Sequence, residues 1–145
     1  MFMNDKQVAV RDVILRLLEA SDHYDHGANA LSDPDLAKRF AARGRECRDT
    51  AETLKPHIHR LGELPSQPDP EREILDHILN RIANIGMDER SRFAKELGER
   101  ESAIEEAAGD ALLQPLPEDT LHELGRIRVA ARGRAAELAR LVREE

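Results

Sequence analysis

Residues 10–31, VRDVILRLLEASDHYDHGANAL, run into Ser32-Asp33-Pro34 and then into residues 35–61, DLAKRFAARGRECRDTAETLKPHIHRL. In the first stretch Val10, Ile14, Leu17, Ser21, Tyr24, Ala28 and Leu31 recur at alternating steps of four and three. In the second, Phe40, Gly44, Cys47, Ala51, Leu54, Ile58 and Leu61 do the same. That spacing marks one face of a helix turned toward a partner helix. The break between the stripes is short enough only for a tight reversal, so the two helices should lie antiparallel.

Working outward, end signals bound each element. Asn4, with Gln7 three residues on, forms a box-like cap, and the first helix is expected over 5–31. The second is expected over 34–61, with Pro34 at the first helical position and Gly62 and Pro65 beyond its end. Pro56 removes a backbone bond inside it, which predicts a kink or a weak last turn. After Pro65, Pro68 and Pro70, a short helix over 71–85 carries Ile74, Leu75, Ile78, Leu79 and Ile82. A helix over 88–113 turns Phe93, Leu97, Ile104, Ala108 and Ala111 inward. The last, over 118–144, turns in Leu121, Leu124, Ile127, Ala131, Ala135, Leu138 and Val142. No strand-like alternation interrupts this pattern.

The long second connection selects the topology. A helix of about 14 residues rises about 21 Å, and with extended flanks it can travel the length of the bundle. The third long helix should then run parallel to the second, the arrangement of a ferritin-like four-helix bundle with one long crossover. The fold class read here is therefore all-α, a single domain over 1–145.

Composition excludes several functions. The chain has 145 residues, 40% hydrophobic and 35% charged, which suits one packed domain. Its net charge is −7 and aromatic residues make up 3%, so it has neither the positive field nor the stacking platforms that nucleic acid requires. No apolar run approaches the length of a membrane span. Charged residues Asp5, Lys6, Arg11 and Asp12 interrupt any export signal, and a cytoplasmic location is expected. The single cysteine, Cys47, lies on an apolar stripe and reads as a small buried hydrophobe.

Tyr24, Ser32-Asp33-Pro34-Asp35-Leu36, Phe40, Glu46, Leu54, Arg60-Leu61-Gly62-Glu63 and Pro65 together carry a family likeness. Over residues 15–65 the chain resembles a bacterial ferritin-like group of small four-helix proteins, most of whose members have no assigned function. The resemblance implies the fold and a distant kinship to carboxylate-bridged metal proteins; it implies no activity.

A di-iron or di-manganese bundle needs a Glu from each of two helices and a Glu-x-x-His from each of the other two. No Glu-x-x-His occurs in the chain, and the surrogates are Glu19…Asp22, Glu46…Asp49 and Asp119…His122. At 100° per residue Asp22 and Asp49 point well away from their apolar stripes, and Glu46 lies about 100° off its own. Glu101, on the stripe Arg90, Ala94, Leu97, Glu101 and Ile104, is the one inward carboxylate, with Arg43, Arg100 or Arg128 as its expected partner. Asp22 and His26 share a face four residues apart and could chelate a metal with further donors, but Asp22-His23-Tyr24-Asp25-His26 reads first as a polar outer face carrying two ordinary exposed histidines. No metal centre and no cofactor are therefore expected, Asp22, His26, Glu46 and Glu101 being the residues that come nearest to a ligand set. The arginines Arg126, Arg128, Arg132 and Arg134 cannot ligate a cation and should pair with Glu96, Glu99, Glu101, Glu105 and Glu106 of the preceding helix. Ser21 and Tyr24 interrupt the first stripe and should form a polar layer with Thr50 or Glu101.

No nucleophile with a base and no phosphate loop is recognisable. The expectation is a non-enzymatic bundle acting through its surface or by self-association, in a stress-related role. A homodimer is expected from the apolar 71–85 segment, with no nucleic-acid or membrane partner. The alternative is a ferritin-like carboxylate protein that stores metal or works as an oxidase.

Overall fold

A computed structural model describes residues 4–61 and 89–143, and all the statements below concern these. They form four helices: α1 (Asp5–Ala30), α2 (Pro34–Arg60), α3 (Glu89–Ala111) and α4 (Glu118–Arg143). The expected helix over 71–85 lies outside the described residues.

The helices begin where side chains satisfy the first free amides. Gln7 N–H donates to Asn4 Oδ1 at 2.9 Å while Asn4 N–H donates to Gln7 Oε1 at 3.0 Å, closing the capping box. Asp33 accepts from the Asp35 and Leu36 amides at 3.0 and 3.2 Å, and Pro34 occupies the first turn of α2 without wasting a donor. Beyond Pro56, α2 continues to Arg60.

Side-chain pairs give the directions. Between α1 and α3, Ser32 meets Glu89, His23 meets Glu96 and Tyr24 meets Glu101, so the two run antiparallel. Between α2 and α4, His57 meets Thr120 and Glu46 meets Arg134, again antiparallel. Hence α2 and α3 point the same way from diagonal corners. The start of α3 lies at the end of the bundle where α2 also starts. This agrees with the direction expected from the long second connection.

Both stripes that open the chain are core, with Val10, Ile14, Leu17, Tyr24, Phe40, Cys47, Ala51 and Leu54 essentially inaccessible to water. The α1/α2 seam is tight because of Gly44. A β-carbon there would sit 3.1 Å from Tyr24 Cβ and 3.2 Å from the Ser21 carbonyl oxygen, and the latter belongs to backbone that cannot step aside. Gly44→Val is expected to lower stability by about 1–3 kcal/mol through overpacking, read as a fall in the urea midpoint at unchanged slope.

Two inward faces differ from expectation. In α4 the register after Ala131 steps by three rather than four: Arg134 and Leu141 are buried, while Ala135 is half-buried and Val142 is exposed. The reason is electrostatic, since a buried carboxylate on α3 draws the guanidinium in. In α1 a second buried row, Val13, Ala20, His23 and Gly27, sits beside the first because the helix packs against both α2 and α3. His23 is therefore buried, not a surface histidine.

Candidate functional site

A layer of polar side chains crosses the middle of the bundle, and every helix contributes to it. Glu101 on α3 is 0% exposed. Its Oε2 accepts from the Tyr24 hydroxyl at 2.6 Å and from Arg134 Nε at 2.6 Å. Arg134 Nη1 then donates to Glu46 Oε1 on α2 at 3.1 Å. Outward from Glu46 the chain continues through Arg43, at 3.0 Å, to Glu137, which also receives Arg39 at 3.3 Å. Carboxylates and guanidiniums alternate along the whole path.

Burial sets the protonation behaviour. It pushes the Glu101 carboxyl up, while the hydrogen bond and charge of Arg134 and the bond from Tyr24 pull it back. Burial and the neighbouring Glu101 charge push the Tyr24 phenol up, so it stays a hydrogen-bond donor. The Cys47 thiol, buried beside the layer, is pushed up to about 12, first by burial and then by Glu101, which leaves it inert at neutral pH.

At the rim the sign reverses. Burial raises the Glu137 carboxyl, but hydrogen bonds from Arg43 and Arg39 outweigh it and hold the group below its ordinary 4.5. A depressed carboxyl contributes stability above its unfolded-state value and loses it as pH falls through the folded value. Wild type should therefore lose stability more steeply than Glu137→Gln between neutral pH and the acid side of 4.5, as followed by denaturant midpoints across pH. Glu101 acts in the opposite sense, since its raised value favours the folded state at acid pH, and it opposes part of that loss.

The sequence candidates separate into two places. Glu46 and Glu101 meet at the central layer, bridged by Arg134. The partner of Glu101 is thus Arg134, rather than Arg43, Arg100 or Arg128. Arg43 bonds Glu46 and Glu137, and Arg100 pairs with Glu19 at 3.4 Å. Asp22 and His26 lie nearer the α1–α2 turn, where His26 is exposed and packs on Phe93 with ring centres 5.6 Å apart. Among the described residues no group of three or more His, Cys, Asp or Glu is arranged to hold a metal ion.

A di-metal centre fits this layer poorly. The position between Glu101 and Glu46 is filled by a guanidinium, which carries the positive charge and has no lone pair to offer. Two hydrogen-bond donors already engage Glu101 Oε2.

Other expectations resolve as follows. Tyr24 does meet Glu101, whereas Ser21 Oγ has no hydrogen-bond partner and Thr50 donates to the Glu46 carbonyl. Of the α4 arginines, Arg134 pairs with Glu101 and Arg132 with Glu105, but Glu96 turns to α1 and bonds His23 Nε2 at 2.8 Å. Arg134, His23 and Glu96 are core groups that the expected apolar stripes do not place inside. The signal for Arg134 was available, because a three-residue step from Ala131 continues the stripe to Leu138 and Leu141.

The seam between α2 and α4 is the loosest in the bundle. It opens into a groove of about 700 Å³ lined by Glu46 and Thr50 of α2 and by α4 residues that mix apolar Leu121, Ile127, Val129 and Ala130 with Arg126 and Arg134. No helix among the described residues is long and apolar enough to cross a membrane. No family model, curated protein or solved structure matches the chain.

Proposed function

We propose that this protein is a ferritin-like bundle in which an internal guanidinium takes the place of a metal centre, and that it works without catalysis, through its surface, as a homodimer. The observation that carries the reading is Arg134, buried between Glu101 and Glu46. In a carboxylate-bridged bundle the inward acids are neutralised by cations they ligate. Here the neutralising cation is part of the chain, so the acids serve stability and position the helices. The buried Cys47 thiol, pushed up to about 12, and the Tyr24 hydroxyl, raised by burial and donated to Glu101, offer no ready nucleophile. Among the described residues, what remains available for interaction is the outer surface, including the α2/α4 groove.

The test is metal analysis of untagged full-length protein grown with iron and manganese, together with its melting temperature before and after chelation. The expected result is sub-stoichiometric metal and an unchanged melting temperature. A di-iron or di-manganese load, lost together with stability on chelation, would overturn the reading in favour of a metal-storage or oxidase role.

A further inference from the structure

We infer that the second copy docks through the α2/α4 groove, with the α4 helix of each protomer laid along the groove of the other about a two-fold axis. The inference rests on the homodimer reading above and specifies its surface. Three observations carry it.

The groove is the one long seam of the described bundle where neighbouring helices barely meet, and its lining combines apolar Leu121, Ile127, Val129 and Ala130 with charged side chains. On its lip stands Val129, 70% exposed, with the small residues Ala130, Gly133 and Ala136 exposed beside it along α4. Gly133 has open space where a β-carbon would be, so another helix can approach closely there.

The third observation is charge. On the α4 side the groove carries Arg126, mostly exposed, whose ion pair with Glu123 is long at 3.7 Å. On the α2 side stand Glu46, which lines the groove and already pairs with Arg134 and Arg43, and, outside the lining, the exposed Asp49, which forms no ion pair among the described residues. The pairs His57–Thr120 and Glu46–Arg134 set the α2/α4 register, bringing Thr50 level with Ala130. A two-fold axis at that level runs the partner's α4 parallel to α2. The partner's Val129 then enters the groove beside Thr50 and Ala130, and the partner's Arg126 comes level with Glu46 and Asp49. Isologous symmetry repeats each contact, so one complementary pair serves twice.

Sedimentation equilibrium of the full-length chain tests this, with circular dichroism confirming that each variant is folded. All three positions are at the surface, so the substitutions leave the core intact. Wild type should be a dimer and Val129→Glu a monomer. Arg126→Glu should weaken the dimer by about tenfold or more, and adding Asp49→Arg should restore most of that loss. A wild-type monomer at every soluble concentration overturns the homodimer reading and this surface together. A dimer that Val129→Glu leaves intact, or an Arg126→Glu defect that Asp49→Arg fails to relieve, overturns the surface alone and leaves the homodimer standing.

Discussion

Arg134→Met is expected to destabilise the protein by about 3–5 kcal/mol, because it removes the counter-charge from a carboxylate with no exposure to water. The buried Glu101 would then have to take up a proton in order to stay inside, so its raised value should move further from that of an exposed carboxyl. Stability of the variant should consequently improve at acid pH relative to neutral pH, the reverse of the trend set by Glu137. The double variant Glu101→Leu with Arg134→Met removes both charges and fills the layer with apolar volume. It should recover most of the loss and could match wild type, since buried ion pairs seldom outperform well-packed hydrophobes. Equilibrium urea unfolding of the three proteins decides the matter. If Arg134→Met alone were neutral, the guanidinium would not be the internal counter-ion described above.

Phe93→Ala should cost a similar amount, about 3–5 kcal/mol, for a different reason. Phe93 is buried against Gly27 of α1, where a β-carbon would lie 3.2 Å from its ring, and it packs on His23 with ring centres 5.8 Å apart. Truncation leaves a cavity at the α1/α3 contact and removes the apolar cover from the His23–Glu96 hydrogen bond. Thermal unfolding should show a large drop in midpoint, with the helical signal retained below it. Phe93→Leu should recover part of the loss by refilling the space. An alanine variant as stable as wild type would mean that the α1/α3 contact contributes little to holding the bundle together.

The parts of this structure legible in the sequence were those set by local rules. Helix starts at Asn4 and Pro34 followed from capping chemistry that needs only neighbours in the chain. The two leading stripes are core because a face repeating every three and four residues must be buried against something. The parallel direction of α2 and α3 followed from the length of the connection between them, while their diagonal placement is seen only in the helix contacts.

What failed depended on distant partners. A charged residue is normally assigned to the outside, and Arg134 is inside only because Glu101 faces it from the neighbouring helix α3. Periodicity places His23 at the surface because it supplies one stripe per helix, whereas α1 is covered from two sides. Thus the chain by itself determined where the four described helices begin and end, which stripe each of the first two buries, and that they fold back on one another. The tertiary structure alone decided which charged groups lie within and which of them meet. Periodicity is a local property of a helix, but the sign and position of a compensating charge are supplied by another helix altogether.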